Sequence, residues 1–317
     1  MLAQYLGVIS PAIQRASLSG AAIPTTTPGC DRCDPWGRAL RCASLPVATF
    51  DGFHVEMMEH IEGLLQEAGI TFETEPAHIF QSLIPAAVLL DRAHPPGIIP
   101  DFAADLALPP HSSAAGPGLA AQRQPRAPIR RLFLDVKGLH GGRDYASRQQ
   151  SQAVTARAAR VDVQYRAHAT RLDQQHSPGM AVPGAAAPIA ARLQQFGAVR
   201  GLVFGKFAEA SPDVHHLADY LGDCIARRRW RLMGAASQSE ARSFTVARVR
   251  RILGVGAARA MARHLIRRLP FLGLSRAAMD QHLQQHRARA WARPVVPHVA
   301  TSEHFPHAQT RRLWRQL

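Results

Sequence analysis

Near the middle of this 317-residue chain runs RRLFLDVKGLH, Arg130 to His140, in which Asp135 stands two residues before Lys137 at the end of the apolar run Leu132-Phe133-Leu134. In a β-strand, side chains two apart project from the same face. An acid and a lysine at that spacing therefore leave the tip of a buried strand together. Such a pair is either a salt-bridged strand end or half of a metal-dependent phosphodiesterase site. The lysine is conspicuous because the chain uses arginine almost everywhere else: it has two lysines, Lys137 and Lys206, against 36 arginines.

Periodicity outlines the elements that must position the pair. Phe53, Met57, Ile61, Leu64 and Ala68 recur at helical spacing, and Gly69 follows as a stop, so 53–68 is predicted to be a helix. Two strand-like segments follow. In GIIPDFAADLAL (97–108), Phe102, Ala104, Leu106 and Leu108 alternate with Asp101, Ala103 and Asp105; in 129–137, Leu132, Leu134 and Val136 alternate with Arg131, Phe133, Asp135 and Lys137. The Pro/Gly/Ala-rich tract between them reads as a flexible insertion. A long helix is expected over 149–175, a short one over 188–196 and a third strand over 199–207. Ser211 and Pro212 have the chemistry of an N-cap and a first helical position. The fold class expected is α/β: a small mixed sheet of 97–108, 129–137 and 199–207 flanked by helices 53–68 and 149–175. Residues 1–50 read as an irregular arm, 51–224 as the core, and 225–317 as a basic, mostly helical region.

The order helix, strand with Asp, strand with Asp-x-Lys, helix, strand resembles the PD-(D/E)xK, or restriction-endonuclease-like, nuclease superfamily. Pro100-Asp101 matches the "PD" and Asp135-Val136-Lys137 the "(D/E)xK". The resemblance implies a restriction-endonuclease-like core, with Asp101 and Asp135 on adjacent strands holding Mg²⁺. It implies that Lys137 orients the attacking water or stabilises developing charge. The chemistry suits the residue types: Mg²⁺ prefers carboxylate oxygens and retained waters, and a bound metal acidifies water and neutralises the transition state. Some members add an acid from the first helix. Glu56, Glu59, Glu62 and Glu67 are the candidates here, with Glu62 nearest the apolar stripe.

A narrower resemblance is to the C-terminal endonuclease region of site-specific non-LTR retroelement polyproteins, which carries a short zinc knuckle ahead of the nuclease core. This sequence has Cys30-x2-Cys33 and then, after eight residues, Cys42 where the knuckle's histidine would stand. The next candidate ligand is His54, on the first predicted helix. Either Cys30, Cys33, Cys42 and His54 form a Cys₃His zinc site, or the knuckle is degenerate and binds no Zn²⁺. The displaced histidine favours degeneration.

Charge is strongly segmented. Residues 225–317 hold 19 Lys+Arg against 3 Asp+Glu, whereas 1–224 hold 19 against 20, so the net +15 belongs to the C-terminal third. A polyanionic partner, DNA rather than RNA given the resemblance, or a solvating arginine surface both account for this. No apolar run is long enough to span a bilayer. The first residues lack a basic, then apolar leader pattern, and four cysteines do not form a disulfide framework. The setting expected is intracellular, and nuclear if the chain is eukaryotic. Two functions remain in play: a Mg²⁺-dependent endodeoxyribonuclease of retroelement descent, and a catalytically inactive nucleic-acid-binding protein with the nuclease fold.

Overall fold

A computed structural model describes residues 11–23, 32–35, 39–40, 51–89, 97–109, 128–139, 150–177, 187–205 and 209–274, with Ala278 and Gln281 beyond them. The chain divides into two units, Met1–Leu274 and Ser275–Leu317.

Its described elements are α1 (Pro11–Leu18), α2 (Asp51–Ala68), β1 (Phe72–Thr74), a 3₁₀ turn (Ala77–Phe80), α3 (Ala86–Leu89), β2 (Phe102–Leu106) and β3 (Arg130–Gly138). After these come α4 (Gln150–His176), α5 (Pro188–Gln195), β4 (Arg200–Phe204), α6 (Pro212–Arg229), α7 (Gln238–Arg268) and a closing 3₁₀ turn (Leu269–Phe271). The strands form one sheet in the order β1-β2-β3-β4. The first two pairings are antiparallel and β3–β4 is parallel. The protein is thus mixed α/β, a small four-stranded mixed sheet flanked by helices. The α4–α5 stretch between β3 and β4 supplies the crossover that a parallel pair requires.

Alternation along the strands divides the core into two layers. Phe102, Ala104 and Leu106 of β2, Leu132, Leu134 and Val136 of β3, and Leu202 and Phe204 of β4 join Met57, Ile61 and Leu65 of α2 with buried residues of α6 and α7. On the opposite face, Ala103 and Phe133 pack with Val161, Tyr165, Ala169 and Leu172 of α4 and Ile189 and Leu193 of α5. Asp135 and Lys137, at odd positions of β3 like Phe133, therefore belong to the α4 side.

The three expected strands are present: β2 and β4 within narrower bounds than the alternation gave, and β3 at its expected length, one residue further along. Pro100 has no N–H to offer a ladder, and regular pairing begins at Phe102. A fourth strand, β1, was not expected; it is three residues long and mostly exposed. The arm is not wholly irregular, since it contains α1, and its Ala22 carbonyl accepts from Gly273 N–H. The expected boundary at 224/225 falls inside α6. Residues 225–274 are part of the first unit, because Val249, Leu253, Ala257 and Ala260 of α7 are buried in the same core as the sheet. Ser211 occupies the N-cap position of α6 without capping it. Its hydroxyl instead donates to Gly201 O at 2.8 Å and accepts from Val203 N–H at 3.1 Å, latching α6 to β4.

Candidate functional site

The β2–β3 register pairs Phe102 with Leu134. Continued by one residue, it sets Asp101 opposite Asp135 at the open end of the sheet. Both are buried, at 8% and 1% exposure. Asp101 is fixed at both oxygens: Oδ2 accepts from Val136 N–H, and Oδ1 lies 3.2 Å from His54 Nε2. His54 comes from the first turns of α2, in the other layer, and its Nδ1 lies 3.3 Å from Val136 O. A carbonyl and an ionised carboxylate only accept, so the ring serves both when doubly protonated. The hydrogen bond to Asp101 accordingly raises the His54 pKa, against burial and the Lys137 charge.

Asp135 is held differently. Lys137 Nζ donates to its Oδ1 at 2.9 Å, and Tyr165 Oη of α4 donates to the same oxygen at 2.9 Å. The other oxygen, Oδ2, is buried with no hydrogen-bond partner. Burial above all, and then the Asp101 charge, push the Asp135 pKa up; Lys137 and Tyr165 pull against them. Burial and the adjacent carboxylates push the Tyr165 phenol well above its ordinary value, so it stays a neutral donor. The strand end thus gathers two acids, a lysine, a histidine from one layer and a tyrosine from the other.

This donor set fits Mg²⁺ in part. Among the described residues no group of three or more His, Cys, Asp or Glu is arranged to hold a metal ion. Mg²⁺ asks for less, since it is commonly held by one or two carboxylates, with waters and substrate phosphate completing the octahedron. The partnerless Oδ2 of Asp135 beside the Asp101 carboxylate is the kind of hard, underused oxygen such a cation takes.

Asp101, Asp135 and Lys137 lie together as the strand pattern required. Glu62 does not join them. It accepts from Gln66 Nε2 at 3.3 Å, and eight residues along α2 from His54 correspond to about 12 Å of helix. The other α2 glutamates also face elsewhere: Glu56 pairs with Arg263, Glu67 with Arg229 and Arg248, and Glu59 is exposed. The residue of α2 that reaches the strand end is His54. Of the four zinc candidates, Cys30 and Cys42 lie outside the described residues. Cys33 is buried near Ile13 O and Asp34 O, and His54 is engaged at Asp101. Tyr165 was missed. Its place in the stripe Val161, Tyr165, Ala169, Leu172 reads as core, and only its hydroxyl hinted at a polar partner.

The basic region is less free than its charge implies. Arg229 and Arg248 pair with Glu67, Arg250 with Asp219, Arg263 with Glu56, and Arg227 and Arg242 with Asp223. All of these acids lie before residue 225, so the two segments neutralise one another in part. No helix of the described residues is long and apolar enough to cross a membrane. A scan against protein-family models, a search of curated proteins and a search of solved structures each find no match.

Proposed function

We propose that this protein is a metal-dependent endonuclease that hydrolyses phosphodiester bonds of DNA on a restriction-endonuclease-like core. One observation carries the reading. Asp101 and Asp135 lie buried side by side at the end of the sheet, with an unpartnered Asp135 oxygen and Lys137 on the same edge. The element order around them supports it: helix, strand, a 3₁₀ turn and a short helix, strand preceded by Pro-Asp, strand with Asp-x-Lys, two helices, strand.

Asp101 and Asp135 would hold Mg²⁺, which supplies Lewis acidity toward a bound water and the phosphate. Asp101 is kept in place by Val136 N–H and His54. Lys137 donates to the water or the non-bridging phosphate oxygens once substrate draws it from Asp135. Burial of both carboxylates keeps bulk water from screening these charges. The basic C-terminal third supports a polyanionic partner, and retroelement descent rests on the Cys30-x2-Cys33 resemblance alone.

Binding without turnover is the second reading. It is favoured by the Lys137–Asp135 contact, which can stand as an internal pair. A plasmid-nicking assay with and without Mg²⁺ separates the two. Asp135→Asn and Lys137→Ala should each lower Mg²⁺-dependent cleavage by about 10²–10³, leaving DNA affinity near wild type. A wild-type chain that binds DNA and yields no Mg²⁺-dependent product establishes the second reading. Cleavage surviving both substitutions places the activity elsewhere.

A further inference from the structure

The two site carboxylates are oriented by different rules. Asp101 spends one contact on each oxygen: Val136 N–H on Oδ2 and His54 on Oδ1. Asp135 spends both contacts on Oδ1, Lys137 Nζ and Tyr165 Oη each at 2.9 Å, and none on Oδ2. A buried acceptor left without a donor costs free energy, and native structures rarely leave one. Here the vacancy is produced by the two donors that converge on the neighbouring oxygen. Rotation of the carboxyl group to satisfy Oδ2 would break both contacts.

Tyr165 has a second attachment. Its Oη also lies 3.1 Å from Ile99 O, two residues before Asp101. One hydroxyl on α4 therefore spans the segment that enters β2 and the end of β3, the two pieces of backbone that carry the carboxylates. The ring is buried, and α4 is anchored beneath it by Val161, Ala169 and Leu172 in the same apolar layer. The hydroxyl is thus placed by a rigid helix and not by a loop.

We infer that Tyr165 is a positioning residue of this site: its one hydroxyl proton, shared between Asp135 Oδ1 at 2.9 Å and the Ile99 carbonyl at 3.1 Å, holds the two segments together, so that Asp135 Oδ2 is the oxygen presented to the metal and the two carboxylates keep their spacing. The inference rests on the metal-dependent reading above and adds to it the atom used and the residue that reserves it. Tyr165 touches neither metal nor substrate in this arrangement; it acts through Asp135. Partners that hold a metal's ligands commonly contribute about 10- to 100-fold to metal affinity or activity.

The test uses Mn²⁺ as the probe, titrated into the full chain and followed by its electron paramagnetic resonance signal without DNA. Wild type, Tyr165→Phe and Asp135→Asn are compared. Tyr165→Phe keeps the ring and removes only the hydroxyl. It should raise the Mn²⁺ dissociation constant about 10- to 100-fold, with the far-ultraviolet spectrum and metal-free DNA affinity unchanged. Wild-type Mn²⁺ affinity in Tyr165→Phe, alongside a loss in Asp135→Asn, makes the hydroxyl a core strut and overturns this inference alone. A Tyr165→Phe chain that loses its fold does the same. Wild type and Asp135→Asn binding Mn²⁺ equally, or neither binding it, removes the metal reading and this inference with it.

Discussion

Helix α2 borders two charged regions built on opposite terms. Along its flank toward α7, carboxylates meet guanidinium groups at the surface. Glu67 takes Arg248 at both oxygens, 2.8 and 2.9 Å, and Arg229 at 3.0 Å, while Glu56 takes Arg263 at 2.7 Å. At its N-terminal end, His54 reaches a strand end where two carboxylates are buried beside each other and one oxygen has no donor. Half-exposed pairs are inexpensive to form and contribute modestly. Buried acids side by side are costly and persist where something else has selected them. The seam joins helices; under the function proposed above, the cluster would receive a cation.

If that contrast is right, the helices around α7 are held by shape more than by charge, and the largest stability effect lies where α6 packs on α7. Gly222 of α6 faces α7 so closely that a Cβ there would lie 2.8 Å from Val246 Cα and N, which are backbone. Thr245 Oγ1 donates to Gly222 O at 2.7 Å across the same contact. Gly222→Ala forces the helices apart and should cost about 1–3 kcal/mol in denaturant unfolding. A cost below that of removing a Glu67 ion pair would show that charge, not fit, holds these helices together.

Neutralising one acid in each region should give opposite signs. Asp135 is penalised when ionised, because burial and Asp101 raise its pKa. The folded state binds its proton more tightly than the unfolded chain does, so its contribution to stability falls as pH rises above the ordinary carboxyl range. Asp135→Asn keeps an oxygen for Lys137 and Tyr165 and removes that charge. Measured metal-free near neutral pH, it should stabilise the fold by on the order of 1 kcal/mol. Glu67→Gln should destabilise by about 1 kcal/mol or less. Thermal unfolding of both variants decides the matter; destabilisation by Asp135→Asn would make the cluster a structural ion pair like the seam.

The same contrast separates what was legible in the sequence from what was not. β3 declared itself through Leu132, Leu134 and Val136, and the Asp-x-Lys spacing placed Asp135 and Lys137 on one face before any pairing was known. Asp101 followed, because antiparallel pairing of 97–108 with 129–137 brings it to the same end. β1 carried too few residues to show a period. The charge step at residue 225 misled the domain division, since α7 wears most of its arginines outside, Arg268 excepted, while Val249, Leu253, Ala257 and Ala260 face the core. His54 and Tyr165 reach the site from residues 82 and 30 positions away from their β3 partners, Val136 and Asp135. No local pattern encodes contacts of that range. Glu62 was favoured for its helix face alone, which fixes direction around α2 and not the turn that meets the strand end.

The smallest effect expected belongs to His60, six residues along α2 from His54, and it runs in the opposite sense. His60 packs its ring against Gly256 of α7, where a Cβ would fall 2.5 Å from Cδ2. Glycine at 256 thus makes room for an imidazole in the seam. Burial lowers the His60 pKa below its ordinary 6.5; Glu56 and Glu59 oppose this, and Arg259 and Arg263 reinforce it. Between the lowered value and 6.5 the unfolded chain holds more protons than the folded one. The contribution of neutral His60 is therefore complete above 6.5 and is lost as pH falls through 6.5 toward the folded value. His54, whose pKa is raised, contributes with the reverse sign. Comparing wild type with His60→Gln isolates the one group. Unfolding free energy measured between about pH 7 and pH 5 should decline less steeply in the variant. Parallel slopes would mean that the ring takes its proton as readily in the seam as in water, and that α2 and α7 meet more loosely than the glycine contact implies.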